Sequence, residues 1–160
     1  QMFKLKDIIH CVLKYKNESS VHEIKLKEFI LDKNIVIFGV PGAFTSTCSA
    51  KHLPSYVKNS SKIFSLGIDD IICISVNDPF VMHAWGEFNN ANYNIKMMSD
   101  VGGYLARLMN IEADFGPNLL MRMKRFAMIL KQNEIKNFVI DEKGDYGKTS
   151  AENIISLLQK

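Results

Sequence analysis

Apolar residues run almost unbroken through Asn34 to Val40 (NIVIFGV) and again through Asp70 to Val76 (DIICISV). Short runs rich in β-branched residues, bounded by polar or turn residues, mark strands covered on both faces. Between them, Ser46 to Gly67 carries Leu53, Tyr56 and Val57 at helical spacing, which completes a βαβ unit. Pro54 falls inside that segment. It should kink or divide the helix, because it has no N–H to donate and its ring crowds the preceding turn. Asp78–Pro79 then opens a helix carrying Phe80, Met82, Ala84 and Trp85 to near Asn90, with an N-cap candidate and Pro at the first helical position. A short strand (Ile95 to Met98) follows, then a helix capped by Ser99 or Asp100 and running to about Asn110, and an irregular loop through Phe115, Gly116 and Pro117. Arg125 to Leu130 and Ile135 to Ile140 flank Gln132–Asn133 as a hairpin. The last helix, Ser150 to about Leu158, puts Ile154, Ile155 and Leu158 on one face.

The order βαβαβαββα predicts an α/β protein with a central mixed β-sheet flanked by helices, a thioredoxin-like architecture. No linker, repeat or low-complexity run divides the chain, so residues 1–160 read as a single domain. Composition agrees: 160 residues, 47% apolar and 23% charged, are enough to bury a core without staples. Charged residues interrupt every apolar stretch short of the roughly 18 residues a membrane helix needs. The net charge of +3 comes from basic residues spread along the chain, which argues against a dedicated nucleic-acid surface. Three cysteines, Cys11, Cys48 and Cys73, are too few and too irregular for an extracellular disulfide framework. A reducing intracellular compartment is expected, the cytosol or an organelle (plastid-like or mitochondrial) if a presequence has been removed ahead of Gln1.

Chemistry concentrates in Gly39 to Tyr56, GVPGAFTSTCSAKHLPSY. A buried strand leaves through Gly39, Pro41 and Gly42 and enters a helix near Ser46 or Thr47, with Cys48 in the first turn. There the unpaired backbone N–H groups and the positive end of the helix dipole stabilise a thiolate. Thr45, three residues earlier, can bring a hydroxyl beside the sulfur, and helix amides can hold an oxygen substrate against it. Arg125, at the start of a later strand, is the candidate cation. A low-pKa sulfur with donors and a cation around it suits attack on a peroxide O–O bond.

Pro41-x-x-x-Thr45-x-x-Cys48 resembles the peroxidatic motif of the peroxiredoxins of the redoxin superfamily. The longer strings FGVPGAFTSTCSAKHLPSY, CISVNDPFVMHAW and KRFAMIL are similar to the type II (short, atypical) group, including the antioxidant peroxiredoxins of malaria parasites. The resemblance spans about Phe3 to Lys160. It implies that Cys48 is the peroxidatic cysteine, that Thr45 and Arg125 complete the site, and that Pro41 shields the sulfur. It further implies reduction of hydrogen peroxide and organic hydroperoxides through a sulfenic acid. Glutathione with glutaredoxin, or thioredoxin, would be the reductant, and a homodimer the assembly. No metal, haem, flavin or nucleotide is implied. Ser46 stands where the type II motif has Pro, and it can still cap the helix. Gly147 to Ser150 hold no thiol where the vertebrate form carries its resolving cysteine, so a monothiol cycle with an external thiol is expected. Cys73 matches the cysteine proposed to resolve in plant type II enzymes. A dithiol cycle through Cys73, or a non-enzymatic thioredoxin-like module that senses redox state, are the alternatives.

The remaining candidates read as structural. Cys73, central in IICISV, is expected in the core, and Cys11 is expected to pack in an edge strand. His52 follows Cys48 by four residues and could pair with it, but is read as a surface histidine. Arg122 and Lys124 are expected on a solvated face beside Arg125, with help in binding an anionic reductant as the alternative. Trp85 belongs to the core, and Phe44 could line an apolar pocket for organic hydroperoxides. A zinc site would need further ligands than the sequence supplies, and Gly39 to Thr47 lacks the Gly-Lys-Ser/Thr of a phosphate loop.

Overall fold

The computed structural model describes residues 3–160, apart from the side chain of Cys48. Among the described residues nine strands form: β1 (Val12–Lys16), β2 (Val21–Lys25), β3 (Ile35–Gly39), β4 (Asp70–Ser75), β5 (Ile95–Ser99), β6 (Glu112–Asp114), β7 (Met121–Met123), β8 (Arg125–Lys131) and β9 (Glu134–Asp141). Seven of them make one mixed sheet in the order β2-β1-β5-β4-β3-β8-β9, and β6 pairs with β7 separately. β3 lies between parallel β4 and antiparallel β8, and all five of its residues are buried.

Alternation within these apolar runs divides the core in two. Ile35, Ile37, Ile72 and Ile74 face Leu26, Phe29 and Leu105, from α2 (Leu26–Ile30) and α5 (Tyr104–Leu108), and α1 (Leu5–Ile8) adds Ile8. Val36, Phe38, Ile71 and Cys73 face the other layer. That layer comprises α3 (Leu53–Ser65), α4 (Pro79–Phe88) and α6 (Ala151–Leu158). Helices therefore cover both faces, as the strand-helix order requires.

The expected caps and turn are present. Asp78 accepts a hydrogen bond from the Val81 amide at 2.9 Å ahead of Pro79, and Ser150 accepts one from Asn153 at 3.2 Å. Gln132 and Asn133 both take positive φ, 53° and 61°, the conformation a tight two-residue hairpin needs. Around Pro54 the helix divides. The backbone is helical from Ser46, widens into a π-helical turn over Cys48–His52, and becomes regular again in α3 with Pro54 in its first turn. The widened turn accommodates a residue that cannot donate to the ladder.

Three expectations are corrected. The sheet extends past its foreseen limit through the β1–β2 hairpin, so Cys11 enters the sheet's second strand rather than its edge. β2 lies outside β1, and Cys11 is only 9% exposed. Ser99 ends β5, and Asp100 caps α5 from outside by accepting from the amides of Leu105 and Ala106, at 2.9 and 3.0 Å. The loop before Arg125 also contains the β6–β7 hairpin. Both missed hairpins carry charged residues within their strands, which breaks the apolar runs that mark buried strands.

Candidate active site

β3 ends at Gly39, which pairs across the ladder with Phe126 of β8; a Cβ there would run into the Phe126 ring. The chain then turns through Pro41 to Thr45, and this turn is held from several sides. Thr45 Oγ1 donates to the Gly42 carbonyl at 2.6 Å, and the Ala43 amide donates to Asn77 Oδ1 at 2.8 Å. Asn77 is itself fixed by Ser75 Oγ, which donates to the same Oδ1 at 2.7 Å. Phe44 takes a positive φ of 63°, a conformation unusual for a residue with a Cβ. One turn on, the Ser49 amide donates to the Thr45 carbonyl at 2.9 Å and Trp85 Nε1 donates to Ser49 Oγ at 2.9 Å. The helix start that carries Cys48 is thus anchored to both the β4–α4 loop and α4.

Pro41, Thr45 and Arg125 line one cavity of about 170 Å³, with Ser46, Thr47, Phe115 and Leu119 and the Asp141–Asp145 segment. Three of the residues picked out in the sequence therefore meet beside the turn in which Cys48 begins the π-helical segment. The side chain of Cys48 lies outside the described residues. Cys73 is not brought to this cavity. It is fully buried in β4, with Phe38 and Met97 opposite it on the flanking strands.

His52 is not on the surface. It is fully buried against Phe38 and Tyr56, with Nε2 3.1 Å from the Thr149 carbonyl and Nδ1 3.2 Å from Arg125 Nη1. A carbonyl can only accept and a guanidinium can only donate. The proton therefore sits on Nε2, and the Nδ1 lone pair receives Arg125. Burial, together with the neighbouring guanidinium, lowers the His52 pKa to about 3, so the ring is neutral at ordinary pH. The Thr149 carbonyl also accepts from Tyr56 at 2.8 Å. The Thr149 amide and hydroxyl donate to the buried Asp141 carboxylate at 2.9 and 2.7 Å. Asp141 stands directly across the β8–β9 ladder from Arg125.

Arg122 is corrected as well. It is half-buried and spans the turn, Nη1 donating to the Pro41 carbonyl and Nε to the Leu119 carbonyl, each at 3.0 Å. Lys124 does pair at the surface, with Glu142 at 2.8 Å. Phe44 is half-exposed and lies outside the cavity, its ring 6.5 Å from Trp85 and 5.9 Å from Phe88. Phe115 and Leu119 supply the apolar lining instead. The one local signal for His52 was its spacing from Cys48. Its partners Thr149 and Arg125 lie 97 and 73 residues away in sequence, where no motif could reveal them. Among the described residues no group of three His, Cys, Asp or Glu side chains could hold a metal, and no helix is long and apolar enough to cross a membrane.

A thioredoxin-like sheet that delivers a cysteine-bearing helix start beside a buttressed arginine defines the redoxin class, and the redoxin family pattern matches residues 13–155. Peroxiredoxin-2B of Arabidopsis thaliana is 39% identical over 127 residues, 79% of this chain and 78% of that protein. Peroxiredoxin-2D of the same plant is 35% identical over 145 residues, 90% of each. Reduced Prx3 of Vibrio vulnificus in complex with hydrogen peroxide superposes with a TM-score of 0.91 at 30% identity, covering 99% of this chain and 98% of that one. The Plasmodium falciparum antioxidant protein, a 1-Cys peroxiredoxin, gives 0.80 at 27% identity over 92% of each chain. The chain belongs to the redoxin family, among the peroxiredoxins, which are thiol-dependent peroxidases.

Proposed function

We propose that Cys48 is the peroxidatic nucleophile of a monothiol cycle, with Thr45, Arg125 and Pro41 completing its site. The supporting observation is the convergence of Pro41, Thr45 and Arg125 on one small cavity beside the helix start that carries Cys48. The Cys48 thiolate attacks the distal oxygen of the peroxide; an S–O bond forms and the O–O bond breaks. The departing oxygen takes a proton and leaves as water or an alcohol, and Cys48 becomes a sulfenic acid. Arg125, a fixed donor, stabilises the charge that moves onto the oxygens without reorganising, and Thr45 adds a second donor once its hydroxyl turns from the Gly42 carbonyl to the substrate. Buried Pro41 keeps water off the sulfur.

An external thiol then condenses with the sulfenic acid, releasing water and leaving a mixed disulfide. A second thiol removes the adduct and restores Cys48. Glutathione with glutaredoxin is the expected reductant, which sets the protein in a reducing intracellular compartment. The exposed aromatics Phe44, Phe80 and Phe88 fit a homodimer contact near the site.

Cys73 argues for the external thiol by its position. As a fully buried residue of a central strand, it could resolve Cys48 only if β4 opened. The second reading, a dithiol cycle through Cys73, is kept open by the likeness to plant peroxiredoxins. Steady-state hydrogen peroxide consumption decides between them, assayed with glutathione/glutaredoxin and with thioredoxin. Cys48→Ser should abolish turnover, and Cys73→Ser should retain it within about twofold. Loss of turnover in Cys73→Ser, with Cys48 still oxidised by peroxide, would establish the dithiol cycle. Rapid Cys48 oxidation with no turnover on any thiol would point to a redox-sensing module.

A further inference from the structure

The cavity beside Cys48 has a second wall that the chemistry above does not use. One side of it is the β6–β7 hairpin, which contributes Phe115 and Leu119; the other is the segment after β9, Glu142 to Asp145. These segments are remote in sequence, and Lys143 ties them together. Its Nζ donates to the Asp114 carbonyl at 2.8 Å and stands 6.0 Å from the centre of the Phe115 ring. Both contacts favour a cation in that position. The space enclosed is about 170 Å³, well below the roughly 300–1,000 Å³ of sites that take drug-sized ligands.

Lys143 touches none of the residues that hold Arg125, and the segment it pins is exposed. The pin therefore bears on the cavity's width and not on the reacting groups. Resting on the peroxidase reading, we infer that Lys143 is a specificity-determining residue: it straps the 142–145 segment to the β6–β7 hairpin and favours hydrogen peroxide and short-chain alkyl hydroperoxides over bulky aryl hydroperoxides. A methionine in its place keeps the length of the side chain but loses the charge and the hydrogen bond. Arginine keeps both.

The test compares wild type with Lys143→Met, Lys143→Ala and Lys143→Arg in two measurements. The first is kcat/KM for cumene hydroperoxide relative to hydrogen peroxide. The second, independent of turnover, is the alkylation rate of Cys48 by N-phenylmaleimide relative to iodoacetamide. Lys143→Met and Lys143→Ala should each raise both ratios roughly three- to tenfold, with hydrogen peroxide reduction within twofold of wild type and Lys143→Arg unchanged. Unchanged ratios in the Met and Ala variants overturn the strap. A raised alkylation ratio in a protein that reduces no peroxide would leave the strap standing and remove the peroxidase reading instead.

Discussion

Arg125 and Lys143 are cations lining the same small cavity, and they are held in opposite ways. Arg125 rests on a fully buried neutral His52, which rests on the Thr149 carbonyl, which is fixed by a buried Asp141. Lys143 is exposed and reaches only a backbone carbonyl and the face of a ring. Hydrogen bonds away from water are costly to break, because the orphaned partner cannot be resolvated. Exposed ones exchange readily with solvent. On the proposed mechanism, the wall that would stabilise charge in the transition state is the buried, braced one, and the wall that would admit substrate is the exposed one.

The largest expected effect breaks the rigid side at its end. Arg125→Ala should lower kcat/KM for hydrogen peroxide by roughly a hundred- to thousandfold, measured by stopped-flow single turnover, with the fold intact by circular dichroism. A loss below threefold would remove the cation from the mechanism. His52→Ala comes next, because it leaves the Thr149 carbonyl short of a donor and Arg125 unsupported. It should cost about 2–4 kcal/mol in denaturant unfolding and about tenfold in single-turnover rate. His52→Gln, whose amide can accept from Arg125 and donate to Thr149, should restore most of the rate. If Gln rescued nothing, positioning of Arg125 would not be what His52 does.

A pH dependence sharpens the same contrast. The folded His52 titrates near pH 3 and the unfolded one near 6.5. Below pH 6.5 the unfolded chain takes up a proton that the folded ring refuses. The stability this group contributes is therefore fully present above pH 6.5 and is lost as pH falls toward 3. Urea midpoints across this range should fall more steeply for wild type than for His52→Gln; parallel profiles would mean that His52 is not buried neutral. The smallest effect belongs to Cys73→Ser, which should leave glutathione-dependent turnover within about twofold while lowering stability by about 1–3 kcal/mol, since a hydroxyl enters the core.

Legibility in the sequence followed the same division. β3, β4, β5, α4, the β8–β9 hairpin and α6 were readable because buried strands give unbroken apolar runs and helix ends carry local signals such as Asp78–Pro79 and Ser150. β1 was read only as an edge strand at Cys11 and β2 not at all, because polar and charged residues interleave their apolar ones and leave no continuous run. Pro41, Thr45 and Cys48 were legible as a motif, being local in the chain. Arg125 could be proposed from the start of a strand. The Asp141–Thr149–His52 support could not, since every link joins positions brought together only by the sheet and α6. Arg122 and His52 were misread for a common reason: a polar side chain is taken as solvated unless its distant partners are known.

The central claim is that Cys48 alone carries the reaction with peroxide. It is tested most directly by peptide mass mapping of fully reduced protein after one equivalent of hydrogen peroxide, with and without a sulfenic-acid trap. The account expects rapid trapping on Cys48, with Cys11 and Cys73 recovered as thiols. Cys48 recovered as a free thiol, with the peroxide unconsumed, would contradict it.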